Sequence, residues 1–346
     1  MQFASDNTSH AHPKIMEALV AANTGFAPAY GTDKWTAALE ERLRDLFAAP
    51  EARVFPMTSG TATNAALLAA MSPPWGVIYC HETAHIEVDE RGAATFYAGG
   101  AKLKPLAASD SRIDGAALKS AIAADAAGHG VHAMPPAAIS VTNITEFGER
   151  YSIDHLAALR AVSDLPVHMD GARFANAVAS GTDSPAQIVE GLGALSLGAT
   201  KNGALTAEAA VLFDPELIER FDSHRMRGGQ NLSKARFVSA QMLAWLEDDL
   251  WLDLASHSNA MAARLARGMQ ERGDASLAYS VDGNMVFATL PRAAHARAYA
   301  KGATYHLWGV DTALDGDPET PLLARFVASW STSEADVDAL LAAFDR

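Results

Sequence analysis

Cysteine is nearly missing from this chain: Cys80 is the single one in 346 residues. One thiol excludes an internal disulfide and a cysteine-rich metal centre, and it favours a reducing compartment. Basic residues are scarce too, with 27 Lys plus Arg against 41 Asp plus Glu and a formal net charge of −14. That balance opposes binding to nucleic acid or to an anionic membrane surface, so any site for an anion must be local. No apolar run reaches the roughly 18 residues that a membrane-spanning helix requires. The opening Met1-Gln2-Phe3-Ala4-Ser5-Asp6-Asn7 has neither the basic segment nor the apolar stretch of a secretory signal. A soluble cytoplasmic protein is expected, without a metal.

The length is comfortable for two domains with a sizeable core. Short β-favouring runs recur between helical patterns, at 53–57, 76–80, 138–142, 166–169 and 194–197. This alternation predicts an α/β layer structure around a mostly parallel sheet. Residues 208–213 add a further strand whose direction is open. Apolar residues at helical spacing predict helices over Thr36–Phe47 and Ile153–Val162, the latter started by Ser152 or Asp154. A long helical pattern from Leu232 to about Arg272 breaks near Asp248-Asp249, where the domain change is placed. Residues 1–248 then form the large domain, and 249–346 a small α+β domain with strands at 284–290 and 325–330, a helix at 293–301 and a last helix after Ser331 or Ser333.

Two segments carry chemistry. Lys201 lies in Leu195-Ser196-Leu197-Gly198-Ala199-Thr200-Lys201-Asn202-Gly203-Ala204, a glycine-flanked loop after an apolar run, and Asp170 ends the strand-like Val167-His168-Met169-Asp170-Gly171-Ala172-Arg173. A lysine able to form a Schiff base and an acid to keep a pyridinium nitrogen protonated are the two groups that pyridoxal phosphate most needs. Alone, the lysine is an ordinary surface charge and Asp-Gly an ordinary turn; together and in this order they point to that cofactor.

Two more loops fit beside them. Met57-Thr58-Ser59-Gly60-Thr61-Ala62-Thr63-Asn64 follows a strand and opens an apolar helix, so its backbone N–H groups, Gly60 and the hydroxyls of Ser59 and Thr61 suit a phosphate, or simply cap the helix. His85 follows the strand ending at Cys80; it could stack on a planar cofactor and move a proton near neutral pH, with His10, His12, His81 and His168 as rivals.

These segments, with Asp6-Asn7, Tyr30-Gly31-Thr32-Asp33 and Ala84-His85-Ile86, resemble the low-specificity L-threonine aldolases in order from the N-terminus to at least Trp251. The resemblance implies a fold type I, transferase-like pyridoxal phosphate enzyme. It further implies that Lys201 forms the Schiff base, Asp170 pairs with the pyridinium nitrogen, Ser59, Gly60 and Thr61 hold the phosphate, and His85 stacks on the ring. Ser5, Arg173 and Arg325 would bind the substrate carboxylate, with Arg173 bordering the cofactor as well. Tyr30 and Arg227 would enter a neighbouring subunit's site, Arg227 on its cofactor phosphate, in a homo-oligomer built as a dimer of dimers. The implied reaction is retro-aldol cleavage of threonine, allo-threonine or a bulkier β-hydroxy-α-amino acid.

One departure stands out. Many members carry a second histidine in the loop that here reads Thr142-Asn143-Ile144-Thr145-Glu146-Phe147-Gly148, which leaves the base to His85, an activated water, Thr145 or Glu87. A different lyase, an aminotransferase or a decarboxylase would use the same Lys–Asp pair, and a non-catalytic binding protein on the same fold is the remaining alternative.

Overall fold

The computed structural model describes residues 1–128 and 130–345. Seven strands form the main sheet: β1 (Arg53–Met57), β2 (Val77–His81), β3 (Lys102–Leu106), β4 (Pro136–Thr142), β5 (Val167–Gly171), β6 (Ala194–Gly198) and β7 (Glu208–Leu212). Their order is β1-β7-β6-β5-β4-β2-β3. Strands β2 to β6 pair in parallel, and β7 runs antiparallel between β6 and β1, which settles its direction. Helices cover both faces, so β2, β5, β6 and β7 are buried at every residue and read in sequence as largely apolar runs without alternation, their polar members being His81, His168, Asp170, Ser196 and Glu208.

Strand β3 carries no such signal. Its Lys-Leu-Lys-Pro-Leu sequence is tolerated because it occupies the sheet edge, where lysine and proline deter further pairing. Helix Gly60–Met71 is buried from Thr63 to Met71 and has no polar face, because the sheet lies on one side and helices Ala93–Tyr97 and Ile218–Arg227 pack against it elsewhere.

The interruption at Asp248-Asp249 is a 3-10 turn in which both aspartates take positive φ, a conformation that aspartate tolerates better than most residues. Helix Leu250–Gln270 follows. Its Trp251 and Ala255 belong to the large core, whereas Met261, Leu265 and Met269 belong to a second core. That second core covers an antiparallel sheet of β8 (Ser276–Leu277), β9 (Met285–Pro291), β10 (His306–Trp308) and β11 (Pro321–Val327), in the order β10-β11-β9-β8. Strand β11 begins earlier than the run at 325–330 suggests, with Pro321 at its first position, where a missing N–H costs least.

The first residues also pack there. Phe3 is fully buried in the second core, donating its N–H to Thr304 O and accepting from Val327 N. The N-terminal segment, grouped by sequence with the large domain, therefore leans on the small one before Asp6 turns back. Among the described residues no helix is long and apolar enough to cross a membrane.

Candidate active site

Because β7 runs against its neighbours, its first residue meets their last: Met57 pairs with Glu208, and Glu208 with Gly198. The carboxyl ends of β1, β4, β5 and β6 converge at this edge, where ligands bind in open α/β sheets. A cavity of about 290 Å³ opens here. It is lined by Ser59, Gly60, Thr61, His85, Asp170 and Lys201, and also by Asn7, Asn64, Glu90, Glu146 and Glu208. A wider hollow of about 790 Å³ lies at the opposite strand ends, around Pro166, Gly193, Arg160 and Arg220, and contains none of these groups.

Asp170 is held at both oxygens. The Ala172 N–H donates to Oδ1 at 3.0 Å and the Asn64 amide to Oδ2 at 2.8 Å. Asn64 also donates to Glu90 Oε1 at 3.1 Å, and Glu90 Oε1 shares a 2.8 Å hydrogen bond with His85 Nδ1. One network thus fixes the carboxylate of β5 and the imidazole after β2. The Glu90 bond, against the opposing effect of burial, raises the His85 pKa above that of a free imidazole.

Lys201 lies in a 3-10 turn, Thr200–Asn202, directly after β6. Among the described residues nothing hydrogen-bonds or ion-pairs with its amine. At the start of helix Gly60–Met71, Ser59 occupies the N-cap without using its side chain as a cap, and a Cβ added at Gly60 would meet nothing within 4 Å. The hydroxyl and the helix N-terminus therefore face free space.

Glu208 was not singled out by sequence. Its side chain is buried, and Oε2 would stand 2.9 Å from a Cβ at Gly198, so the glycine makes room for it. Burial pushes its carboxyl up to about 7, opposed by hydrogen bonding to Thr200 and by the Lys201 charge. The available signal was a lone acid opening an apolar strand, Glu208-Ala209-Ala210-Val211-Leu212; Asn64, within a helix of alanine and leucine, gave a similar one.

The other expected residues do not line this cavity. Arg173 is buried and spends Nε and Nη2 on Asp6, at 2.8 and 3.0 Å. Burial alone would raise the Asp6 carboxyl, but the Arg173 and Lys201 charges hold it below its usual range. Asn284 donates to the same carboxylate at 3.0 Å. Among the described residues Arg325 has no carboxylate partner: Nη2 reaches Ala4 O at 3.4 Å, Nε is buried unpartnered, and the guanidinium lies 4.7 Å over the Trp308 ring. Ser5 Oγ accepts from the N–H of Asn7, so it bears on the cavity through that neighbour.

Tyr30 is 56% exposed and lies beside a separate hollow with Asp33 and Arg53, while Arg227 is exposed at the end of its helix. The histidine rivals fall away as well. His168 is fully buried against Ser140, and burial pushes it down to about 4. His81 bonds Thr83, and His10 and His12 pack on Trp330. Of the suggested bases, Thr145 is buried and bonded to Ser111 at 2.6 Å, and Glu87 does not line the cavity.

Residues 2–291 match the β-eliminating lyase family. The low-specificity L-threonine aldolase of Pseudomonas aeruginosa is 36% identical over 96% of this chain and 93% of its own. That of a Pseudomonas species is 35% identical over 99% of this chain and 96% of its own. The chain belongs to the low-specificity L-threonine aldolase family. It is a carbon–carbon lyase of this aldolase type. The threonine aldolase of Leishmania major superposes with a TM-score of 0.91 at 25% identity, covering 99% of this chain and 98% of that one. The serine palmitoyltransferase of Sphingomonas wittichii shares the fold alone, with a TM-score of 0.72 at 14% identity over 99% of this chain and 86% of its own. The aldolase fold thus extends over nearly the whole chain, both sheets included.

Proposed function

We propose that this aldolase cleaves the Cα–Cβ bond of L-threonine, L-allo-threonine and related β-hydroxy-α-amino acids to glycine and an aldehyde, using pyridoxal phosphate. The observation that carries this reading is an unengaged lysine, Lys201, sharing one cavity with Asp170, a carboxylate fixed at both oxygens. The remaining donors fit the same cofactor: the free helix N-terminus with Ser59, Gly60 and Thr61 for a phosphate, and the anchored His85 imidazole for a ring face. When bound, the cofactor supplies an electron sink for the pair released at the substrate Cα.

The protein's own contribution is orientation. Arg325, a cation lacking an acidic partner, suits a substrate carboxylate, and a guanidinium grips such a group through two N–H donors. Arg173, neutralised by Asp6, then acts by holding Asp6 and the Asn7 segment at the cavity wall. Fixing the carboxylate fixes which Cα bond is presented for cleavage. Lys201, whose amine has no hydrogen-bond partner among the described residues, then serves as the acid that returns a proton to Cα.

We also propose a homo-oligomer, a dimer of dimers, in which Tyr30 and Arg227 serve a neighbouring copy; both are exposed and neither reaches the cavity of its own chain. Mixing inactive Lys201→Ala and Arg227→Ala chains should then restore part of the activity. A cytoplasmic setting suits the single buried thiol, whose pKa burial raises to about 12.

Purified protein incubated with both threonine diastereomers and phenylserine should release glycine and the matching aldehyde. A visible absorption band should be present and absent from Lys201→Ala. Ammonia and an oxo acid in place of glycine would assign a β-elimination instead, an oxo acid without ammonia a transamination, and colourless protein that takes up no added cofactor would remove the reading altogether.

A further inference from the structure

The cavity contains four carboxylates, and three are committed. Asp170 is held by Asn64 and the Ala172 N–H. Glu90 has no exposed side-chain surface and is bonded to His85 and Asn64. Glu208 is packed over Gly198 behind the lysine loop. Glu146 has no hydrogen-bond or ion-pair partner among the described residues and, unlike the buried Glu208, it is only half-buried.

Its placement is rigid. The Gly148 N–H donates to Thr145 O at 3.0 Å, and the Thr145 N–H to Glu149 O at 2.9 Å, so Glu146 and Phe147 form the corner of a tight turn. Gly148 has a φ of +89°, and a Cβ there would stand 3.2 Å from Met285 O, so the turn requires glycine. Phe147 stacks on Tyr279 with centroids 4.5 Å apart and packs edge-on to Phe287. Glu149 is pinned by the N–H and hydroxyl of Ser111, at 2.8 and 2.7 Å. Glu146 lines the cavity with His85 and is within electrostatic reach of His85, Arg173 and Arg325.

Glu146 thus shares the cavity with the residue proposed for the cofactor ring, and its charge is felt by the cation proposed for the substrate carboxylate. His85 is a poor acceptor there, because its bond to Glu90 favours the protonated imidazole.

We infer that Glu146 is the base that removes the β-hydroxyl proton during Cα–Cβ cleavage, an inference that rests on the aldolase reading. Its carboxylate takes the hydroxyl proton, the O–H bonding pair becomes the new C=O π bond of the aldehyde, and the Cα–Cβ pair remains with Cα. The resulting carboxylic acid then gives its proton to water at the cavity mouth.

The test compares two reactions in Glu146→Gln. Threonine cleavage needs the hydroxyl proton removed, whereas exchange of the glycine Cα proton in D₂O, followed by NMR, involves no hydroxyl. A positioned base contributes about 10²–10⁴-fold, so cleavage should fall about 100-fold or more, with exchange within threefold of wild type and the absorption band retained. A cleavage loss less than tenfold greater than the exchange loss overturns the inference. Glu146→Asp, which keeps the carboxylate, should regain part of the cleavage rate, and a variant as slow as Glu146→Gln counts against a proton-transfer role. Wild-type protein that exchanges glycine but releases no aldehyde from any β-hydroxy amino acid instead overturns the aldolase reading itself.

Discussion

The cavity has two walls assembled in different ways. On one side, Ser59, Gly60, Asp170 and Lys201 each lie within three residues of a strand's carboxyl end, so the sheet alone aligns them. On the other, Asn7 lines the cavity and is backed by Asp6, Arg173, Asn284 and Arg325, which do not line it themselves and meet from the N-terminus, the large domain and the small domain; the Arg325 contact with Ala4 spans 321 positions. The first wall is a property of strands and their loops. The second exists only once both domains and the N-terminal segment have docked, so damage to it should be felt in stability and substrate binding rather than in the chemistry of the lysine.

The contrast is tested most strongly by Lys201→Ala. Cleavage should fall on the order of 10⁴-fold or more, since no neighbouring amine replaces the nucleophile, while thermal unfolding changes little. Asp6→Ala should do the reverse first. It strands the buried Arg173 cation, and breaking such a pair costs about 3–5 kcal/mol. Denaturant titration should show the loss, and an unchanged midpoint would mean that the second wall does not depend on this pair.

Glu208 belongs to the first wall, at the start of β7. Its carboxyl is raised to about 7 in the folded chain, from an ordinary value near 4.5. A raised acid favours the protonated native state, so its contribution is full below about pH 4.5 and is lost as pH climbs to 7. Glu208→Gln, which keeps a neutral side chain, should therefore remove a decline of order 3 kcal/mol in the cofactor-free protein between pH 4.5 and 8. Parallel stability–pH curves for variant and wild type would refute it. The smallest effect is expected from Arg325→Lys, which retains charge but loses the planar fork: KM for threonine should rise about tenfold, with kcat within a few-fold of wild type.

The same two walls explain what could be read in advance. Lys201 and Asp170 were legible because strand, loop and reactive group are contiguous in the chain, and the turn of β7 into an antiparallel strand is the only element there whose direction was hidden. Glu208 was read merely as the start of a strand, since a face-to-face register with Gly198 is a tertiary fact. Strand β3 escaped notice because an edge position permits Lys and Pro where a central strand does not. Arg173 was expected at the substrate and found on Asp6, because no local pattern announces a partner 167 residues away. Glu146 lies in a loop with no strand or helix period to orient it, and only the turn closed at Gly148 sets which way its carboxylate faces.

The N-terminal segment also sets a mechanical limit. Phe3 is bonded to Thr304 and Val327 of the small domain, and Asp6 to Arg173 of the large one. Three peptide links separate these anchors, and a chain of that length spans at most about 10 Å when fully extended. The segment is thus a tether beside the cavity: this corner cannot part by more than that without tearing out Phe3 or freeing Arg173, and any such displacement pulls on Asn7 at the cavity wall.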